Sequence, residues 1–152
     1  MSAKRGFGAA WVGLALALAV HVTDEAANDF LSVYNPAVRG IRERIGFFPM
    51  PTFTFEIWIT GLILAVLLLL SLSPFAFRGS RGLRWVAYPL AVLMFFNGMG
   101  HILGSLYMRD WMPGVYSSPV LLAASVWLWL SLRRGVPSRN SDRLRDRRPQ
   151  CV

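Results

Sequence analysis

The chain has 152 residues, of which 55% are hydrophobic and only 16% are charged, and its mean hydropathy is +0.45. This balance excludes an ordinary soluble domain, which carries more charge, and the length has room for one domain. The net charge of +8 is concentrated at the ends of the chain and in one loop. Because the basic residues flank apolar runs, we interpret them as membrane anchors and expect no nucleic-acid partner.

The first apolar run, residues 6–22, follows two basic residues and continues into an amphipathic stretch. We predict one helix that runs to about Tyr34 and ends at Asn35-Pro36, because a proline disfavours helical backbone at the residue before it. Residues 36–51 are predicted to form an irregular outer segment that contains a short interfacial helix.

Three further apolar runs are long enough to cross a bilayer, and they cover about Thr54 to Phe77, Leu83 to Tyr107 and Val115 to Leu132. Pro74 is expected to kink the second run near its inner end. We therefore predict an all-α fold, a bundle of four transmembrane helices over residues 1–134, followed by a basic disordered tail over residues 135–152.

Four spans place both termini on the same side of the membrane, together with the basic loop at residues 78–84. The positive-inside rule makes that side cytoplasmic. The prediction is a multi-pass protein of the cell membrane with lipid as its surroundings and an oligomeric state that the sequence leaves open.

Polar residues interrupt three of the apolar runs at a similar depth. Seventeen residues separate Lys4 from His21, and seventeen also separate Arg84 from His101, so both histidines lie roughly 25 Å from the basic side. Ionisable groups inside a bilayer are costly, and a shared depth on separate helices indicates one site, facing the extracytoplasmic side. The residues of this polar set are His21, Asp24, Glu25, Glu56, Asn97 and His101.

Helical spacing groups most of these side chains. His21, Asp24 and Glu25 stand at i, i+3 and i+4, which is one face of a helix, and Asn97 and His101 stand at i and i+4. Histidines and carboxylates at such spacing can hold a divalent metal, or they can exchange protons, since histidine titrates near neutral pH. An asparagine one turn from a histidine can orient it or bind a substrate.

These considerations predict the metal ligands to be His21, Glu25, Glu56 and His101, and the catalytic residues to be Asp24, Glu25 and Asn97. Zinc, iron and manganese all suit such donors, and no other cofactor motif is present. A simpler interpretation of Glu56 is an acidic residue that favours the start of a helix. Ser117 and Ser118 are expected to cap the fourth helix or to form hydrogen bonds within it.

The ordered set of short motifs resembles the HXXEE-domain family of membrane proteins. The first motif is His21-Val-Thr-Asp24-Glu25, the second Phe55-Glu56, and the third Asn97-Gly-Met-Gly-His101, followed by Trp111-Met-Pro113-Gly114-Val-Tyr-Ser117. Asp24 stands where the family pattern has glutamate, and Phe55 where it has histidine. The resemblance implies a membrane enzyme whose site contains the six polar residues, and it names neither reaction nor substrate.

Three functions are compatible with the sequence. The first is a metal-dependent membrane enzyme, a hydrolase or an oxidoreductase, that acts on a lipid or another apolar small molecule near the outer leaflet. The second is a component of a small proton-coupled transporter, although the uniformly apolar residues 62–70 offer no polar path to the inner side. The third is a structural subunit in which the polar cluster is a buried hydrogen-bond network.

Overall fold

The computed structural model describes residues 3–134, and this part of the chain is helical, without strands. Its six helices are α1 (Ala3–Ala27), α2 (Phe30–Ile45), α3 (Phe55–Ser71), α4 (Ser73–Arg78), α5 (Arg81–Met108) and α6 (Ser118–Arg133). The predicted all-α class is therefore confirmed. The predicted basic tail, residues 135–152, lies outside the described residues.

Three helical stretches are long and apolar enough to cross a membrane, namely Lys4–Ala27, Phe55–Arg78 and Arg81–Met108. The second of them combines α3 and α4. Helix α6 is apolar but has only 16 residues, which is about 24 Å at 1.5 Å per residue. The length and composition of the three long helices are compatible with insertion into a membrane.

Helix α1 lies at the centre of the described structure and packs against α3, α4 and α6, while α5 packs along α6. Small residues allow this close packing. A side chain at Gly8 would meet the ring of Phe77, and one at Gly13 would meet the ring of Trp127. The core formed in this way includes Phe7, Trp11, Leu14, Leu18, Leu121, Leu128 and Leu132.

The prediction of one helix to Tyr34 is wrong, because the chain breaks after Ala27. Asp29 adopts a left-handed conformation with φ 53° and ψ 54°, which a short polar side chain tolerates better than an apolar one. Asn28 donates its side-chain amide to the carbonyl of Asp24, one of the last carbonyls of α1, at 2.9 Å. These two polar residues end the helix locally and let the next one start in a new direction.

Pro36 does not end a helix, as was predicted, but lies inside α2. The outer segment is correspondingly more helical than expected, since α2 is a 16-residue amphipathic helix that reaches Ile45. Asn35 explains part of this tolerance, because its side chain accepts from the amide of Phe53 at 3.0 Å and donates to the carbonyl of Phe53 at 2.9 Å. This pair of bonds fastens α2 to the extended segment before α3.

Tyr34 fastens the same segment, since its hydroxyl donates to the carbonyl of Pro51 at 2.9 Å. Burial raises the pKa of Tyr34, and the charge of Arg42 opposes this shift. The side chain therefore remains a neutral hydrogen-bond donor at neutral pH.

The second apolar run follows the prediction closely. Thr54 caps α3 by accepting a hydrogen bond from the amide of Ile57, and α3 ends at Ser71, shortly before Pro74. Proline is favoured in the first turn of a helix, so Pro74 marks the beginning of the short helix α4 instead of continuing α3.

Candidate metal centre

Three predicted ligands, His21, Glu25 and His101, meet in the interior of the described structure. Their potential ligand atoms all lie within 4.8 Å of one another, and the side chains are 0%, 5% and 3% exposed. His21 and Glu25 stand one turn apart on α1, and His101 comes from α5. Two histidines and a carboxylate are thus removed from solvent together, which is costly unless each polar atom has a partner.

The carboxylate of Glu25 is shared by the two imidazoles. Its Oε1 atom lies 3.0 Å from Nε2 of His101 and 3.6 Å from Nε2 of His21. The two imidazole rings meet edge to face, with centroids 4.7 Å apart. Both rings consequently direct the same nitrogen atom, Nε2, towards the carboxylate.

The other nitrogen of His101 is held by the loop between α5 and α6. Its Nδ1 atom lies 2.6 Å from the carbonyl oxygen of Pro113. A carbonyl only accepts, so Nδ1 carries the proton and donates it. In the neutral imidazole, Nε2 is then unprotonated, and its lone pair faces the carboxylate of Glu25.

The other nitrogen of His21 is held by a short chain of hydrogen bonds. Its Nδ1 atom lies 2.8 Å from Oγ of Ser117, and that hydroxyl donates to Oδ2 of Asp24 at 2.7 Å. Since the single proton of the hydroxyl goes to the carboxylate, the hydroxyl accepts from Nδ1 of His21. In the neutral imidazole of His21, Nε2 is then the nitrogen without a proton, as in His101.

Nε2 of His21 is the one buried side-chain nitrogen or oxygen in residues 3–134 that has no hydrogen-bond partner. A proton on Nε2 of His101 would pair that histidine with Glu25 but would leave the lone pair of His21 unsatisfied. A cation among the three atoms would satisfy all of them. Each unsatisfied buried polar atom costs about 1–3 kcal/mol, and the cluster could hold a cation that removes this cost.

The spacing of the three donors fits a transition-metal ion. Bonds of about 2.0–2.2 Å to nitrogen and oxygen place two ligands of one ion roughly 3–4 Å apart, and the two measured separations are 3.0 and 3.6 Å. Metal-bound histidines typically donate their second nitrogen to a carbonyl or to a carboxylate-linked group. Nδ1 of His21 and Nδ1 of His101 both have such a partner, the hydroxyl of Ser117 and the carbonyl of Pro113.

The remaining predicted site residues are Asp24, Asn97 and Glu56, and each has a different position relative to the cluster. Asp24 does not reach the cluster directly, because its carboxylate accepts from the amide of Ser117 at 2.9 Å and from its hydroxyl. Asn97 lines a groove beside Glu25. Glu56 is exposed in the first turn of α3 and is not part of the cluster. Its position is the one that favours a helix start electrostatically.

The sequence analysis missed the loop residues that support the site. Ser117 was expected only to cap or bond within the fourth helix, whereas it connects His21 to Asp24. Neither the carbonyl of Pro113 nor the backbone of Gly114 was singled out for a role at the site. The motif at residues 111–117 contains all three positions, and it was the feature of the sequence that could have indicated them.

Aromatic rings from α2 and α3 cover the cluster. The ring of Phe30 lies 5.4 Å from that of His101 and 5.9 Å from that of Trp58, measured between centroids. Phe30 is the first residue of α2, so the break at Asp29 is what brings this ring next to His101. The three ligand residues are at most 5% exposed, and low exposure to water strengthens electrostatic interactions inside a site.

The fold and the cluster define a helical protein with candidate membrane spans and a buried centre of two histidines and one glutamate. Residues 11–128 match the model of a family described as "Protein of unknown function with HXXEE motif". The chain belongs to this family, as its motifs indicated. No curated protein and no solved structure matches the chain.

Proposed function

We propose that this protein is a metal-dependent membrane enzyme that acts on a lipid or another apolar small molecule. The observation that carries the proposal is the convergence of the Nε2 atoms of His21 and His101 on the buried carboxylate of Glu25, where Nε2 of His21 has no hydrogen-bond partner. Catalytic metal sites use three protein ligands and keep one position open, and two histidines with one carboxylate are a recurrent set for zinc and for non-haem iron.

In this proposal His21, Glu25 and His101 hold the ion, which would activate water for hydrolysis or oxygen for oxidation. Ser117 and Asp24 keep His21 in the tautomer that exposes Nε2, and the carbonyl of Pro113 does the same for His101. Asn97 lines the groove next to Glu25, where its amide can bind a polar group of the substrate.

The membrane arrangement is part of the proposal. The three long apolar helices and α6 form four spans, with both termini and the basic loop at residues 78–84 on the cytoplasmic side. The cluster stands near the end of α1 and late in α5, and this arrangement puts it close to the outer leaflet. Helix α2, which is amphipathic and carries three arginines, would then lie along the outer interface.

Metal content tests the proposal most directly. The full chain, purified in mild detergent, is loaded separately with zinc, anaerobic iron(II) and manganese, desalted and measured by elemental analysis. We expect close to one ion per chain for at least one metal, because the cluster offers one set of three ligands. Protein that keeps no ion above the buffer level after all three loadings would contradict a metal site.

Catalysis is tested on vesicles of phosphatidylethanolamine and phosphatidylglycerol. The loaded protein is incubated with them in air, and the lipids are analysed by mass spectrometry. We expect a metal-dependent change of lipid mass, such as the loss of a chain or headgroup or the gain of oxygen. The chelated protein serves as the control.

A structural role is the second candidate, and a specific observation favours it. The hydrogen bonds of Ser117 with His21 and Asp24 connect the start of α6 to α1. The hydrogen bond of His101 with the carbonyl of Pro113 connects α5 to the loop before α6. If the cluster only fixes the packing of these helices, substitution of the histidines lowers the thermal stability. The wild-type protein then binds none of the three metals.

Ser117→Ala is expected to weaken metal binding by about 10- to 100-fold, the range found when an outer partner of a ligating histidine is removed. The substitution deletes the acceptor of His21 Nδ1–H and leaves all three ligands in place. Metal competition with a chromogenic chelator measures the affinity. Ser125→Ala is the matched control, since Ser125 is also buried on α6 but donates to the carbonyl of Leu122. Equal affinities in the two variants would contradict the role of Ser117.

A further inference from the structure

A groove of about 560 Å³ runs between α1, α3 and α5 and ends at the metal cluster. Its walls are almost wholly apolar. The lining residues that carry polar groups are Glu25, Tyr34, Trp58 and Asn97. They lie at the end where the cluster stands, because Phe30 contacts Tyr34, Trp58 and His101, and Asn97 is one turn from His101 on α5. The rest of the surface comes from residues such as Leu62, Leu69 and Met94. The groove therefore has one polar end and one long apolar arm.

The length of the arm corresponds to one leaflet of a bilayer. On α3 the lining residues extend from Ile57 to Leu69, twelve residues or about 18 Å at 1.5 Å each. Half of a hydrocarbon core of about 30 Å is roughly 15 Å. Gly61 and Ala65 lie within this stretch, and their small side chains deepen the groove along its middle.

The groove is open towards the side of the bundle. Helix α3 packs against α1 and α4 but not closely against α5, so two walls of the groove are separate. The most apolar stretch of Phe55–Arg78 is 0% buried inside the protein. In the proposed membrane arrangement this side faces lipid, and a molecule can move into the groove without crossing water.

The volume of the groove is that of a small-molecule site. A groove of 560 Å³ lies within the range of about 300–1,000 Å³ that is typical of small-molecule sites. A single flexible hydrocarbon chain attached to a polar group fits this volume and the length of the apolar arm.

We propose that this groove binds one hydrocarbon chain of a membrane lipid, which moves in sideways from the outer leaflet. The chain lies along α3, and the polar part to which it is attached lies beside Glu25 and Asn97. This inference rests on the proposed function and narrows its substrate class to lipids with at least one long, unbranched chain.

Native mass spectrometry of the full chain tests the proposal, with 1-palmitoyl-2-oleoyl-phosphatidylethanolamine added in mild detergent. We expect one retained lipid per wild-type chain and at least tenfold lower retention by Ala65→Phe, whose ring fills the groove. Ala123→Phe is the matched control, since Ala123 is exposed on α6 and lies outside the groove, and it should retain lipid as the wild type does.

The bound metal is measured in the same samples, so that folding and the groove are assessed separately. Retained metal with lost lipid in Ala65→Phe supports the groove proposal. If Ala65→Phe fails to fold, Gly61→Leu replaces it, because a side chain at Gly61 meets no neighbour within 4 Å. Equal lipid retention by the wild type, the groove variant and Ala123→Phe overturns the proposal.

Two further outcomes have distinct meanings. A wild-type protein that retains lipid but binds no metal would support the groove and contradict the proposed metal-dependent function. A wild-type dimer that Ala65→Phe converts to a monomer, with lipid retention unchanged, would overturn the lipid proposal in favour of a second copy of the chain.

Discussion

Glu25→Gln, His21→Ala and His101→Ala should each remove the bound metal, whereas Glu56→Gln should retain it in full. Each of the first three substitutions takes one of three ligands from a buried site, and glutamine replaces an anionic donor with a weak neutral one. The expected loss of affinity is at least 100-fold, larger than the effect of an outer partner. Glu56 is exposed and outside the cluster, so its charge contributes little to the ion.

Elemental analysis after loading with the preferred metal measures these losses, and circular dichroism in detergent verifies that the variants are still helical. Glu56→Gln is a matched control because it makes the same chemical change as Glu25→Gln at a carboxylate that the sequence also favoured as a ligand. Metal loss from Glu56→Gln with retention by Glu25→Gln would contradict the site described above.

Gly114→Ala should weaken metal binding by at least tenfold and lower the thermal stability. Gly114 has φ 87°, a conformation that side chains other than glycine rarely adopt. A Cβ atom there would lie 2.9 Å from Nδ1 and Cε1 of His101 and 3.0 Å from Cγ of Glu25. The added methyl group therefore pushes against two ligands at once and also strains the backbone.

The backbone of Gly114 has a second function in the loop, since its carbonyl accepts from the hydroxyl of Ser118 at 2.7 Å. Gly100→Ala is the control for a general effect of glycine removal, because Gly100 is exposed on α5 and an added Cβ meets no neighbour within 4 Å. We expect Gly100→Ala to bind metal normally. A Gly114→Ala protein with wild-type metal affinity would contradict the expected clash between the added methyl group and the two ligands.

The helices were largely predictable because long apolar runs and local breakers act within one or two turns. Thr54 marks the beginning of α3 and Pro74 that of α4, as their local chemistry indicates. The break at Asp29 was missed, since asparagine and aspartate are also compatible with the continuation of an amphipathic helix. Pro36 misled the prediction because hydrogen bonds from Asn35 to a distant segment stabilise α2 around it.

The site was predictable to the extent that it depends on depth and on helical spacing. His21 and Glu25 are one turn apart on α1, and the register of the basic anchors placed His101 at the same level. The same argument placed Glu56 in the site, whereas in the structure Glu56 lies outside the cluster. Depth along a helix does not determine the rotation of that helix about its axis, and Glu56 lies on an exposed face of α3.

By itself, then, the sequence determined the all-helical class, because hydrophobic periodicity and charge act locally along the chain, and its short motifs determined the family. It also supplied the candidate ligands His21, Glu25 and His101. Only the tertiary structure decided which of these side chains meet. It also decided that Ser117 and the carbonyl of Pro113 orient the two histidines. Ser117 lies 96 residues from His21 in the chain. Such contacts depend on the relative rotation of packed helices and on the path of a loop, and no local pattern encodes either of them.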